Sequence, residues 1–351
     1  MTPVSAPATS SAARMSHTAV RESVWSYVRG SGLHSLVLGA SKDPNAKITV
    51  LLVSPETGQP LFAIKAPTTD ASARAVEAEV HLLRGLELFR LGQLFATVPR
   101  VIDLIEFDGR TAAVMSAVPG IPLTTSYLQW RHTRSAARVR TDFAAVGAWL
   151  ADFQRATTGE VAQMDMDGGV SKRLLSRFSK ETDLDADLDG LAGIHDRLRR
   201  NQIPRTAVHG DFWSGNLLVD RGRVTGTVDW EAGSTVGEPV RDLVRFALMY
   251  ALYLDRRTRF GRRVAGHREL VAGSWGAAVA YALDGTGWFP ELFRGFLWDG
   301  LVRLGASPEC WRDATLAGIA EVAAFTDDEV FGRSHLELFR RLRGAERTRS
   351  A

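Results

Sequence analysis

A chain of 351 residues and 38.4 kDa is long enough for two lobes around a shared cleft. Its 45% hydrophobic and 24% charged residues exclude a disordered or fibrous chain, and no apolar run reaches the roughly 18 residues that cross a bilayer. The net charge of +3 is spread along the chain and not gathered in a block, which argues against a nucleic-acid or membrane partner.

The opening "MTPVSAPATSSAARMSHTA" lacks the apolar segment of a secretory signal, so residues 1–18 read as a flexible arm. With the single Cys310 no internal disulfide can form, and a reducing cytoplasm is the expected compartment. "SLVLGA", "KITVLLV" and "LFAIKA" read as three strands, the last two joined through the Thr-Gly of "SPETGQP". "ASARAVEAEVHLLRGLELF" carries apolar residues at helical spacing. Two more strands follow in "VPRVIDLIEFDGRTAAVMSAVPGIPL", turning at Asp108-Gly109. Residues 19–115 thus form an antiparallel N-terminal lobe with one main helix, and 116–122, around Val118-Pro119-Gly120, form its joint to the rest.

From 123 to 345 helical periodicity dominates, in "RTDFAAVGAWLADFQRAT", "GLAGIHDRLRR", "RDLVRFALMYALYLDRR", "RELVAGSWGAAVAYAL" and "HLELFRRLRG", and residues 346–351 form a tail. The arginine cluster "RHTRSAARVRTD" lacks interleaved aromatics and reads as the solvated face of a helix. The fold class is α+β: a strand-rich front lobe and a larger helical back lobe.

Two short strands interrupt the helices in "VHGDFWSGNLLVDRGRVTGTVDWE", and they carry polar residues that a core does not need. Asn216 and Asp229 offer an amide oxygen and a carboxylate, a donor set suited to magnesium when substrate phosphates and water complete the shell. Asp211 is left to orient a hydroxyl and accept its proton. In the front lobe, Lys65 shares a strand face with Ala63 and Leu61, where small apolar residues could roof an adenine. At about 100° per residue Glu79 falls in the apolar stripe of Val76, Val80, Leu83 and Leu86, whereas Glu77 falls outside it. A carboxylate on an inward stripe needs a partner, and Lys65 is the natural one. Singly, each residue has a plainer reading: Lys65 a surface lysine, His209 a core histidine, Asp242 a helix-start residue, Asn216 and Asp229 turn residues.

The pattern His-Gly-Asp-x-x-x-x-Asn, then Val-Asp-Trp-Glu, then "GEPVRDL", resembles the aminoglycoside phosphotransferase and choline kinase-like family, relatives of the protein kinases. The resemblance implies a bilobal protein-kinase-like fold with Asp211 as catalytic base and His209 holding its loop. Asn216 and Asp229 become the ligands of Mg2+, Asp242 the brace from the next helix, and Lys65 and Glu79 the pair at the phosphates. It further implies that "LGASKDPNAK" covers the triphosphate with backbone N–H groups at Gly39 and Ser41. "VMSAVPG" becomes the hinge, where the Ser116 carbonyl and Val118 amide bond the purine and Met115 lines the pocket wall. ATP or GTP would be the donor, in a monomer or homodimer.

Only "WEAGSTVGEPVR" separates Asp229 from Asp242, too short for a peptide platform, so the acceptor is a small alcohol or sugar. A basic chain ending in "GAERTRSA" argues against polycationic aminoglycosides. Trp275, Tyr281, Trp288, Phe289, Phe293, Phe296, Trp298 and Trp311 offer rings for packing or for stacking on a sugar or nucleobase. The reading is a hydroxyl kinase of a small molecule, preferably a neutral or mildly polar antibiotic such as a nucleoside-type antibiotic of the capuramycin kind, with an aminoglycoside or a sugar or amino-alcohol metabolite as the other acceptors. The alternatives are a biosynthetic sugar or choline-like kinase and a non-catalytic pseudokinase-like module.

Overall fold

The computed structural model describes residues 22–38 and 46–349. The arm read over residues 1–18, and the loop positions Gly39 and Ser41, lie outside the described residues. After α1 (Val24–Gly30), the first sheet is built from β1 (His34–Leu38), β2 (Lys47–Val53) and β3 (Pro60–Pro67). Helix α2 (Asp70–Leu86) and a 3-10 turn (Gly92–Thr97) precede β4 (Val101–Phe107) and β5 (Arg110–Ser116). The order is β1-β2-β3-β5-β4, antiparallel throughout. Asp108 and Gly109 turn the last hairpin with φ of 47° and 74°, the left-handed pair that a two-residue turn requires.

Alternation along the strands gives this sheet two different faces. Val50, Leu52, Ile64, Ala112 and Val114 pack under α1 in a small core of their own. Ala113 and Met115 point the other way, into the main core with α2. Helix α2 is started by a capping box in which the Thr69 hydroxyl accepts from the Ser72 amide at 3.1 Å and the Ser72 hydroxyl accepts from the Thr69 amide at 2.9 Å.

The back part opens with β6 (Ile121–Pro122) and α3 (Leu123–Tyr127), followed by α4 (Ala136–Ala156) and β7 (Val161–Gln163). Helices α5 (Val170–Arg177) and α6 (Leu184–Leu198) lead to the short strands β8 (Gln202–Pro204), β9 (Thr206–Val208), β10 (Leu217–Asp220), β11 (Arg223–Thr227) and β12 (Ser234–Gly237). The remainder is α7 (Val240–Leu252), α8 (Ala277–Asp284), α9 (Trp288–Arg303), α10 (Trp311–Phe325) and α11 (Glu329–Arg349). Strand β6 pairs with β10, so the chain leaving the first sheet is tied directly to the hairpin that follows the His-Gly-Asp loop.

One expected helix is shorter than its periodicity suggests. "RELVAGSWG" is loop, because Gly276 adopts φ of 76° and the helix starts only at Ala277. Helices α9 and α10 escape a periodicity reading because apolar residues surround them; in α10 every residue from Ala314 to Ala320 is buried. Most of the distal rings serve this core, with Phe289 and Phe293 fully buried, while Trp275 stays 37% exposed. No helix among the described residues is long and apolar enough to cross a membrane.

Candidate active site

The His-Gly-Asp loop hangs between β9 and β10, and its apolar members anchor it. Phe212 stacks on Trp149 at 5.4 Å and Trp230 tilts against His209 at 4.5 Å, so the rings adjoining the polar residues fix both segments in the core. Gly210 has φ of 80°, and a Cβ there would lie 2.1 Å from the Ala232 carbonyl oxygen, so glycine is required. The Asp211 amide donates to His209 Nδ1 at 3.3 Å, which leaves the proton on Nε2, and Nε2 donates to the Val228 carbonyl at 2.8 Å. His209 thereby ties the loop to the segment that ends in Asp229.

Asp242, at the start of α7, completes the clamp. Its Oδ2 accepts from the His209 amide at 2.7 Å and its Oδ1 from the Gly210 amide at 2.9 Å. Burial raises the pKa of this carboxyl, while His209 and the two amides pull it back down.

Lys65 and Glu79 meet as the inward stripe requires. Lys65 Nζ donates to both carboxylate oxygens of Glu79, at 2.6 and 2.7 Å, and to Asp229 Oδ1 at 2.6 Å. Glu79 is fully buried and Glu77 exposed. Glu79 Oε1 also accepts from the Trp230 amide at 3.1 Å, so α2 holds the segment that follows Asp229 as well as the lysine. Burial works against the Lys65 ammonium, but the carboxylates of Glu79, Asp229 and Glu231 outweigh it and hold its pKa above the usual lysine range. Lys65 in turn pulls Asp229 down to about 2. Asp229 carries φ of 62°, a strained conformation for a non-glycine residue that aims its carboxylate at Lys65.

Asn216 spends its amide nitrogen on Asp211, donating to the backbone oxygen at 2.9 Å and to Oδ2 at 3.0 Å. Its other polar atom is the hard oxygen that a magnesium ion takes. With the Asp229 carboxylate, this donor set fits such an ion. Ala63 and Met115 face each other across β3 and β5; Ala63 is half-buried and Met115 is part of the main core. Ser116 is bonded both ways to Arg100, its amide to the Arg100 carbonyl and its hydroxyl from the Arg100 amide, each at 2.9 Å. Val118 packs over Gly226 of β11.

Three residues enter the site that the sequence reading left out. Arg245 lies one helical turn beyond Asp242 and donates to Asp211 Oδ1 from Nε at 3.2 Å and from its terminal nitrogen at 2.8 Å. Glu231 joins Glu79 and Asp229 in a carboxylate cluster whose oxygens lie within 4.8 Å of one another, and Lys47 pairs with Glu231 at 2.5 Å. The i+3 spacing from Asp242 was the available signal for Arg245; the Lys47–Glu231 contact is tertiary and had none.

The arrangement joins a lysine–glutamate pair to Asp229 and, through His209 and Val228, to the loop that carries Asp211 and Asn216. The profile of the phosphotransferase enzyme family matches residues 49–278, from β2 into α8. Aminoglycoside phosphotransferase APH(4)-Ia, in a ternary complex with AMP-PNP and hygromycin B, superposes with a TM-score of 0.53 at 13% identity, covering 88% of this chain and 93% of that one. The streptomycin-ATP-APH(2")-IIa complex gives 0.50 at 16% identity, covering 87% and 91%. No curated protein sequence matches the chain. The bilobal kinase-like fold shared along nearly the whole length, together with a profile that takes in both lobes and the loop between them, makes this chain a member of the phosphotransferase enzyme family and a kinase of small molecules.

Proposed function

We propose that the protein transfers the γ-phosphoryl group of ATP or GTP to a hydroxyl of a small molecule, an antibiotic or a metabolite, in the cleft around Asp211. The observation that carries this reading is the contact of Lys65 with both Glu79 and Asp229, across 164 residues of sequence, beside a loop that presents Asp211 and Asn216. Lys65, kept charged by its two carboxylate partners, neutralises the phosphates. Asp211 orients the acceptor hydroxyl and takes its proton. The acceptor oxygen forms the new bond to the γ-phosphorus as the bond to the β,γ-bridging oxygen breaks, and the nucleoside diphosphate leaves with that oxygen. Mg2+ held by Asn216 and Asp229 would supply charge neutralisation to the phosphates. Ala63, Met115, Ser116 and Val118 border the purine in this reading.

The test is direct. Asp211→Asn is expected to lower kcat by about 10²–10⁴ with nucleotide affinity retained. Unchanged turnover in that variant would remove Asp211 from the chemistry and favour a binding module.

A further inference from the structure

The cleft beyond Asp211 is lined by cations. A cavity of about 310 Å3 is bordered by Tyr253, Asp255, Arg256, Phe260 and Trp275. It shares Tyr253 and Arg256 with a second cavity of about 210 Å3, bordered also by Arg131, Arg134 and Arg257. Among the described residues, none of these four guanidinium groups has a carboxylate partner within ion-pair reach. Asp255 is the single carboxylate on either wall.

Tyr253 connects these walls to the reacting centre. Arg256 sits 5.8 Å from the centre of its ring. Burial raises the Tyr253 phenol, the charges of Arg256 and Arg245 oppose that rise, and Asp211 adds to it, so one hydroxyl senses all three groups. At Asp211 itself both carboxylate oxygens are engaged, Oδ1 by Arg245 and Oδ2 by Asn216. The two bonds from Arg245 occupy Oδ1, and withdrawing them frees that oxygen, besides Oδ2, to accept a proton.

We propose that the acceptor carries an anionic oxygen group, a carboxylate or a phosphate, beside the hydroxyl that is phosphorylated. This group binds between Tyr253 and Arg256 and draws Arg245 away from Asp211 Oδ1. The inference rests on the kinase reading above and replaces the neutral or mildly polar acceptor expected from the sequence. Planar guanidinium groups pair carboxylates and phosphates two bonds at a time, whereas a polyamine entering the same walls would meet four unneutralised positive charges. Trp275, partly exposed on the wall, adds apolar surface for the rest of the molecule.

Matched pairs of acceptors test it: methyl glucoside against methyl glucuronide, and uridine against uridine 5′-monophosphate, each with magnesium and ATP, reading diphosphate release above an acceptor-free background. The charged member of a pair is expected to show kcat/KM roughly 10- to 100-fold above its neutral partner, the range of one charge-assisted hydrogen bond. The pair that responds identifies carboxylate or phosphate. Arg256→Glu is expected to abolish the preference by raising KM for the charged member, while ATP affinity in the same variant reports on the nucleotide site separately. Turnover confined to neutral or polycationic compounds would overturn the proposal and leave the kinase reading standing. Failure of the wild-type protein to bind ATP would overturn both.

Discussion

Lys65 and Glu79 show how a single pair sets the site. With Glu79 fully buried, its carboxylate is tolerated only because Lys65 and the Trp230 amide satisfy it. Lys65→Met strands that charge and is expected to cost about 3–5 kcal/mol of stability, whereas Lys65→Met with Glu79→Leu removes both charges and should recover much of the loss. Urea denaturation of the two variants checks this, and equal instability would mean that the pair is not coupled. Asp242 offers a second case: Asp242→Asn swaps one acceptor for a donor facing an amide N–H, an expected loss of about 1–3 kcal/mol. The same variant should also lower kcat, because both amides that Asp242 holds lie next to Asp211. These residues were readable from sequence because each breaks a local rule, a carboxylate on an apolar stripe or a polar cluster on a buried strand. Arg245 was less so: a lysine or arginine on a helix is ordinarily solvated, and only the folded loop brings Asp211 to it.

Elements were legible where their periodicity was one-sided. Helix α2 buries one face and its stripe announces it, whereas the strands of the first sheet, covered on both faces at β5, were legible as short apolar runs between turn residues. Helix α10 is buried on every face and its sequence carries no stripe to read, while α9 buries one stripe, Phe289, Phe293, Leu297 and Leu301, that apolar residues on its other faces obscure. The stretch from Arg268 to Gly276 misleads in the other direction, since its apolar spacing continues while Gly276 at φ of 76° stops the helix. Helix α11 holds a testable element-scale feature. His335 lies between Phe331 and Trp275, with ring centres 4.4 and 4.6 Å away, and its Nδ1 bonds the Phe331 carbonyl at 2.9 Å. Burial, with a further push from Arg245, lowers its pKa to about 4. An unfolded histidine protonates near 6.5, so between pH 6.5 and 4 the unfolded chain binds more protons than the folded one. The His335 contribution is therefore complete above pH 6.5 and is lost as pH falls, by about 1.4 kcal/mol per pH unit. Denaturation of His335→Phe across that window should show a flatter pH profile than the wild type; an unchanged slope would place the titration elsewhere.

At the scale of the whole molecule, burial of His195 and His267 lowers their pKa values as well, so acid loosens the helical part at several points. Cys310, buried and pushed up to about 11, should resist alkylation at pH 8 until the chain unfolds, a reaction that mass spectrometry follows directly. The first sheet and the helical part meet where α2 touches the segment after Asp229, and there Glu79, Lys65 and Asp229 close on one another. That convergence was inferable from the motif order, but its arginine-lined outer wall was not, since it assembles residues from 131 to 257 that are remote in the chain. The decisive measurement is a crystal structure of the protein with AMP-PNP and magnesium. Lys65 is expected on the phosphates, the metal on Asn216 and Asp229, and the γ-phosphoryl group facing Asp211. A nucleotide bound away from Lys65, or a metal that touches neither Asn216 nor Asp229, would contradict this.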